Sequence, residues 1–150
     1  MLEVRRFATG DARAVRELDD AILSPTGARG RADADLDSIA AAYLQDGGEF
    51  LVGICDGRVV AIGALRHVTD TAGEINRMRV HPGFRRRGFG RTMLTRLEHR
   101  ASELGYRRLR LDTPVALNAA RRLYESTGYR EVGGGQLAGA DVIYFDKALA

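Results

Sequence analysis

The stretch RVHPGFRRRGFGRTML, residues 79–94, restricts the fold more than any other part of the chain. Pro82 ends the strand that runs up to Val80, because proline donates no backbone hydrogen bond and has a fixed φ. Beyond it, apolar residues recur on one helical face: Phe89, Met93, Leu94, Leu97, Ala101 and Leu104. The pattern predicts a strand over residues 73–80, a tight loop, and a helix from Gly88 to Leu104.

The start of this helix is a candidate anion site. The first N–H groups of a helix have no internal partner and point outward. Gly88 and Gly90 let a ligand approach the main chain closely. Guanidinium groups that bind phosphate oxygens flank these glycines: Arg85, Arg86, Arg87 and Arg91. The segment therefore predicts a site for a pyrophosphate.

Two common phosphate motifs do not fit this segment. A nucleotide P-loop requires G-x-x-x-x-G-K-[ST], and residues 79–94 contain no lysine. The dinucleotide motif G-x-G-x-x-G requires a third glycine where this chain has Met93. The pattern that remains is R-x-x-G-x-G, formed by Arg85, Gly88 and Gly90 after a strand that ends in V-x-P.

The rest of the chain alternates strands with helices. Strands are predicted over residues 2–7, on both sides of the Asp56–Gly57 turn within 49–68, and over 106–113, 129–133 and 141–149. Further helices are predicted from about 11 to 23, from about 36 to 45, and over 116–127, with a loop over 24–35. A chain of 150 residues that is 45% hydrophobic is large enough for one core. The expected architecture is a single α/β domain over 1–150 with a mixed sheet.

Composition excludes several classes of protein. The longest apolar runs are too short to cross a bilayer, and the first residues lack the apolar core of a secretion signal, so we expect a cytoplasmic protein with no membrane association. One cysteine and three scattered histidines show no metal-ligand spacing, so no metal is expected.

The positive charge is concentrated in one region. Residues 77–110 contain 11 arginines and only two acidic residues, whereas residues 1–76 contain 13 acidic residues and eight arginines. A local basic region of this kind indicates an anionic ligand more strongly than the net charge of +3 does.

Taken with the strand, loop and helix around it, the R-x-x-G-x-G pattern resembles the acetyl-CoA signature of the GNAT superfamily of N-acetyltransferases. The resemblance includes EINRMRVHP, LRLDT and AARRLYESTGY, and the order of elements fits along the whole chain. It implies a GNAT-like fold, with a central sheet of about six to seven strands flanked by about four helices. It also implies an acyltransferase that uses acetyl-CoA as its cosubstrate.

The resemblance also assigns residues to the cosubstrate. In such proteins the main chain at the end of the strand, here Met78, Arg79 and Val80, pairs with the pantetheine arm like an added strand. The amides that cradle the pyrophosphate are those of Arg85, Arg86, Arg87, Gly88, Phe89, Gly90 and Arg91. Family members often carry an asparagine seven residues before a helix tyrosine. This chain has Leu117 there, so Asn118, one residue later, is the candidate for that contact.

Two residues are candidates for proton transfer. Tyr124 matches the family tyrosine that lies near the cosubstrate sulfur and protonates the leaving thiolate. Glu74, eleven residues before Arg85, matches in spacing the catalytic glutamate of the histone-modifying members. Structural alternatives stay open, because Tyr124 could pack in the core beside Leu123. Glu74 could be an exposed acid at the start of a strand.

The leading hypothesis is the direct transfer of an acetyl group to a primary amine of a small molecule or peptide. A CoA-binding sensor without catalysis is a second hypothesis, and a nucleic-acid-binding module that uses the basic region 77–110 is a third. We expect no nucleic-acid partner, since no recognition motif is present. We expect a monomer or homodimer. The acids of the first two helices and their loop favour a cationic acceptor: Asp11, Glu17, Asp19, Asp20, Asp33, Asp35 and Asp37.

Overall fold

The computed structural model describes residues 1–26, 34–137 and 139–149. Seven strands form one sheet in the order β1-β2-β3-β4-β5-β7-β6. Their bounds are β1 Glu3–Arg6, β2 Glu49–Cys55, β3 Arg58–His67, β4 Ala72–Val80, β5 Arg108–Pro114, β6 Arg130–Leu137 and β7 Ala140–Ala148. Only the β4–β5 pair is parallel, so the sheet is mixed, as the sequence predicts.

Helices cover both faces of the sheet. They are α1 Ala12–Thr26, α2 Ala34–Asp37, a π-helix Ala40–Leu44, α3 Phe89–Glu103 and α4 Asn118–Ser126. Short 3₁₀ turns lie at Thr9–Asp11 and Pro82–Phe84. The predicted α/β class, with a mixed sheet of six to seven strands flanked by helices, is confirmed by this arrangement.

The core has two main parts, one on each face of the sheet. On one face, α1, α2 and the π-helix pack on β2 and β3 through Val15, Leu18, Tyr43, Phe50 and Ile62. On the other face, α3 and α4 pack on the centre of the sheet, with buried side chains such as Leu97, Leu109, Tyr124 and Phe145. Along β5, Leu109 and Leu111 point to the α3 and α4 side, whereas Arg108 and Arg110, which alternate with them, are exposed.

Three boundaries differ from the sequence prediction. Helix α1 continues to Thr26 and α2 begins at Ala34, so both ends of the loop predicted over 24–35 are helical. The second helix is not continuous, because a π-helix follows α2, with a hydrogen bond of 2.8 Å from Gln45 N–H to the Ala40 carbonyl. Strand β6 continues to Leu137 instead of ending at residue 133. Its glycines still pair with β7, and a Cβ on Gly135 would lie 3.0 Å from the Tyr144 hydroxyl, so glycine makes room for this ring. The part of the predicted loop over residues 27–33 lies outside the described residues.

Candidate active site

Strands β4 and β5 separate from each other and leave a gap in the sheet. They pair only at the start, from Ala72–Arg108 to Glu74–Arg110. A bulge in β4 accounts for the divergence, because the β3–β4 register shifts where Arg77 and Met78 lie opposite Gly63. Arg77 has a left-handed φ of 56° at this bulge.

The gap is lined by polar side chains from three elements. β4 contributes Asn76, Arg77 and Arg79, β5 contributes Asp112, and α4 contributes Tyr124. Apolar side chains from α4, β6 and β7 complete the lining. Among the described strands, none pairs with the edge of β4 that faces the gap beyond Glu74, so its main chain can pair with an extended ligand.

A cradle of main-chain amides lies where β4 ends. The chain leaves Val80, turns through Pro82–Phe84, and reaches α3 by way of Arg86 and Gly88, whose φ angles are 64° and 78°. Thr92 N–H bonds to the Gly88 carbonyl at 3.0 Å, whereas among the described residues no acceptor is found for the amides of residues 85–91. These amides fit a diphosphate, since they lie at the positive end of the α3 dipole.

Arginines surround this cradle. Arg85 donates to the Val80 carbonyl at 3.2 Å, Arg91 donates to Ser126 Oγ at 3.1 Å, and the Arg87 guanidinium lies 5.0 Å from the Phe84 ring centroid. All three arginines and Arg86 are exposed. They can therefore turn towards an anion at little cost in lost contacts.

The two glycines of the motif have different structural roles. A Cβ on Gly88 would meet no atom of the described residues within 4 Å, so its side-chain direction faces open space beside the amides. A Cβ on Gly90 would lie 3.2 Å from Leu123 Cδ2, so this glycine permits the close packing of α3 against α4. The sequence-based expectation that both glycines serve mainly the approach of the ligand therefore applies to Gly88 more than to Gly90.

Tyr124 lies at the gap and is nearly fully buried. Its ring packs against Tyr129 and Phe145, with centroid distances of 5.7 and 6.0 Å. Within the described chain, no hydrogen bond to its hydroxyl is found. Burial raises the pKa of Tyr124 to about 12, with Arg79 lowering this pKa and Asp112 raising it. The hydroxyl is therefore protonated at neutral pH, which a proton donor requires.

Glu74 lies at the closed end of the gap. It occupies the last position at which β4 and β5 pair, and its carboxylate lies 3.6 Å from the Arg110 guanidinium. The Asn76 side chain, oriented to satisfy its hydrogen bonds, also donates to Glu74 at 3.0 Å. Glu74 does not line the gap, whereas Asn76 does.

The remaining predicted contacts lie at different places. Met78 and Arg79 line the gap, and Val80 lies beside the start of α3, where its Cγ2 would be 3.8 Å from a Cβ on Gly90. Asn118 is the first residue of α4, is exposed, and does not line the gap.

A buried ionic network joins β4 to the first helices. Arg77, whose side chain is only 4% exposed, donates to Asp19 at 2.9 Å and to both oxygens of Asp35 at 2.8 and 3.1 Å. Arg79 also donates to Asp19 at 3.1 Å. Tyr43 donates to Asp35 at 2.6 Å. We refer to these five side chains as the Arg77 network.

The Arg77 network sets the protonation of its members. Burial alone would raise the pKa of Asp35, but hydrogen bonds from Arg77 and Tyr43 outweigh it and lower this pKa. Burial raises the pKa of Tyr43, and the neighbouring Asp35 raises it further. Asp35 is therefore charged at neutral pH, and Tyr43 is neutral and donates its hydrogen bond.

Sequence reasoning missed the Arg77 network and Asp112. The sequence predicts that the acids of the first helices favour a cationic acceptor. In the structure, however, five of these acids bind arginines: Asp11, Glu17, Asp19, Asp35 and Asp37. No local signal indicates the network, because its partners are far apart in the chain. The alternation in LRLDT does place Asp112 on the face opposite Leu109 and Leu111.

The basic region 77–110 is not one continuous cationic surface. Five of its arginines form ion pairs: Arg77 and Arg79 with Asp19, Arg100 with Glu49, Arg108 with Asp146, and Arg110 with Glu74. The exposed cations of this region that surround the cradle fit a small anionic ligand.

Among the described residues, no helix is long and apolar enough to cross a membrane. The same part of the chain contains no group of three side chains that could hold a metal ion.

Residues 13–129 match the acetyltransferase (GNAT) family, which is most of the chain. The chain therefore belongs to the GNAT acetyltransferase family, and the resemblance found in the sequence is confirmed. It is a GNAT N-acetyltransferase domain, which makes it an acyltransferase.

Relatives of known name cover part of this chain. N-acetylaspartate synthetase from Rattus norvegicus is 36% identical over 101 residues, which are 66% of this chain and 34% of the synthetase. The chain thus spans about a third of that protein. The Escherichia coli protein YjgM, an uncharacterised N-acetyltransferase, is 29% identical over 104 residues, or 67% of this chain and 62% of YjgM.

Solved structures share the fold over the whole chain. A GNAT-family acetyltransferase from Staphylococcus aureus has a TM-score of 0.90 at 18% identity and covers 100% of both chains. The Salmonella typhimurium protein yncA, solved with acetyl-CoA, has a TM-score of 0.80 at 22% identity and covers 100% of this chain and 95% of its own. At these identities the similarity shows the fold.

Proposed function

We propose that this domain transfers an acetyl group from acetyl-CoA directly to a primary amine. The observation that carries the proposal is the set of amides over residues 85–91 that have no acceptor among the described residues, next to the unpaired edge of β4. A diphosphate at these amides and a pantetheine arm along Met78–Val80 would place the thioester in the gap beside Tyr124.

The amide cradle would hold the pyrophosphate through Arg85, Arg86, Arg87, Gly88, Phe89, Gly90 and Arg91. Asn118 is exposed at the start of α4, close in sequence to Leu117, which lines the gap, so a contact with the cosubstrate remains part of the proposal.

Tyr124 is proposed as the acid that protonates the leaving thiolate. Its burial keeps the hydroxyl neutral, so it still has a proton to donate to the thiolate that forms in the gap. For the proton of the amine, Glu74 is the candidate from the sequence, and Asp112 is a second carboxylate on the same face of the sheet.

The acceptor is proposed as a small-molecule or peptide amine. One relative is N-acetylaspartate synthetase, whose name gives an N-acetylated amino acid as its product. A structural neighbour is the ribosomal-protein-S18-alanine N-acetyltransferase of Escherichia coli, with a TM-score of 0.77 at 21% identity over 100% of this chain and 95% of that one. A cationic acceptor is not favoured by the arginine-bound acids of the first helices. A cytoplasmic location and a monomeric or homodimeric state stay predictions.

The experiment that tests this function has two parts. Calorimetry with acetyl-CoA measures binding, and release of free thiol measures turnover against aminoglycosides, polyamines, amino acids, peptide N-termini and lysine peptides. Turnover of one amine class supports the proposal. Tight binding with no turnover across the panel would favour the sensor hypothesis, and nucleic-acid binding that falls steeply with salt would favour the third.

A further inference from the structure

Asp112 is a carboxylate inside the gap. It lies on β5 two residues beyond Arg110, where β4 and β5 stop pairing. Its neighbours Leu111 and Thr113 are buried on the α3 and α4 side, so Asp112 points to the opposite face, beside its β7 partner Tyr144. Asp112 and Tyr124 line the same gap.

The arginines near Asp112 bind other carboxylates. Arg110 pairs with Glu74, Arg108 pairs with Asp146, and Arg79 donates to Asp19. In the part of the chain that the structure describes, no hydrogen bond or ion pair to the Asp112 side chain is found. A half-buried carboxylate without a protein partner is costly unless water or a ligand satisfies it. The position is therefore suited to a group that hydrogen-bonds a substrate.

Asp112 and Tyr124 also interact electrostatically. The negative charge of Asp112 raises the pKa of Tyr124, which requires the two groups to be close. The acid proposed for the thiolate and this carboxylate thus belong to one site. Glu74, in contrast, lies at the closed end and is held by Arg110.

We propose that Asp112, and not Glu74, is the catalytic base that takes the proton from the acceptor amine; this rests on the proposed function. The amine nitrogen attacks the thioester carbon, so that a C–N bond forms and the C–S bond breaks. The nitrogen gives one proton to the Asp112 carboxylate, and the thiolate receives one proton from Tyr124. Proton exchange with water then returns both side chains to their starting states, with amide and free thiol as products.

The test compares carboxylate variants in the full chain. Asp112→Asn removes the base, Asp112→Glu keeps a carboxylate, and Glu74→Gln removes the competing candidate. Asp146→Asn is the matched control, because Asp146 lies on the same face but pairs with Arg108 outside the gap. Ethylamine, glycinamide and 2,2,2-trifluoroethylamine are the probes, since they share a CH₂–NH₂ group and decrease in basicity in this order.

General base catalysis typically contributes about 10²- to 10⁴-fold to the rate. We expect Asp112→Asn to lower kcat for ethylamine by at least about tenfold. The loss decreases towards trifluoroethylamine, which gives up its proton more easily. Asp112→Glu recovers part of the rate. The Kd of acetyl-CoA, measured by calorimetry, stays near the wild-type value in every variant.

Three results would overturn the assignment. The first is wild-type kcat in Asp112→Asn together with a loss in Glu74→Gln. The second is a higher KM at unchanged kcat in Asp112→Asn, which would make Asp112 a binding group. The third is an equal loss for all three amines, because a purely structural defect does not depend on amine basicity. If the wild-type protein turns over none of these probes and no amine of the wider panel, the proposed function fails, and this assignment fails with it.

Discussion

Replacing Arg77 should destabilise the domain far more than replacing an exposed arginine. The Arg77 side chain is 4% exposed, and it binds Asp19, which is 1% exposed, and Asp35. Arg77→Met keeps the length and apolar stem of the side chain but removes its charge and its donors. Asp35 would then lose both bonds from arginine, and Asp19 would keep, among the described residues, the bond from Arg79.

The size of the effect follows from burial. Removing one partner of a buried ion pair costs about 3–5 kcal/mol, because an uncompensated charge is left inside the protein. For a chain of this length, 1 kcal/mol shifts Tm by about 2–4 °C, so we expect Tm to fall by about 6–20 °C. Arg13→Met is the control, since Arg13 is 92% exposed and pairs with Glu17 on the surface of α1. Such exposed helix pairs contribute about 0.3–0.5 kcal/mol.

A second substitution separates charge from backbone strain. Arg77 has a φ of 56°, which glycine adopts without the cost that other residues incur. Both Arg77→Gly and Arg77→Met lose the ion pairs. Arg77→Gly should recover about 1 kcal/mol of backbone strain at this φ angle, and it also loses the packing of the side-chain stem that Arg77→Met keeps. Urea unfolding followed by circular dichroism measures all three variants. Equal free energies of unfolding for Arg77→Met and Arg13→Met would refute the argument that the Arg77 network is buried and coupled.

Three other predictions concern the cradle, the acid and pH. Gly88→Val should raise the Kd of acetyl-CoA, measured by calorimetry, by at least about tenfold, or about 1.4 kcal/mol. Gly57→Val is the control, because Gly57 has a similar φ and similarly open surroundings; it should strain the fold but leave this Kd unchanged. Tyr124→Phe should lower kcat by at least about tenfold with Kd nearly unchanged, and wild-type thiol release in this variant would return Tyr124 to a packing role. Burial raises the pKa of Tyr43 and Tyr129 above the ordinary value of about 10. The stability that the two neutral tyrosines contribute is thus complete below pH about 10 and is lost as pH rises through the folded-state pKa. The urea midpoint should therefore be lower at pH 11 than at pH 9, and equal midpoints would indicate that these rings are exposed.

The amide cradle is the part of the site that the sequence determined. Its donors come from one continuous segment, and their arrangement depends on local rules: Pro82 ends a strand, Gly88 adopts a positive φ, and the periodic apolar residues after it form a helix. For the same reason the order of strands and helices was predictable. Each element depends mainly on the spacing of its own apolar residues.

Tertiary structure decided the gap and the groups inside it. The bulge at Arg77 reverses the alternation of side chains along β4. It lies opposite Gly63, where a Cβ would be only 2.7 Å from Met78 Sδ, so the neighbouring strand needs a glycine at this position. Arg77 binds a carboxylate 58 positions away in sequence, so its burial leaves no local pattern. Asp112 lies in the gap because β4 and β5 diverge beyond Glu74. Charge counts in the sequence could not show which acids arginines would bind, because ion pairing depends on distances that only the folded chain sets.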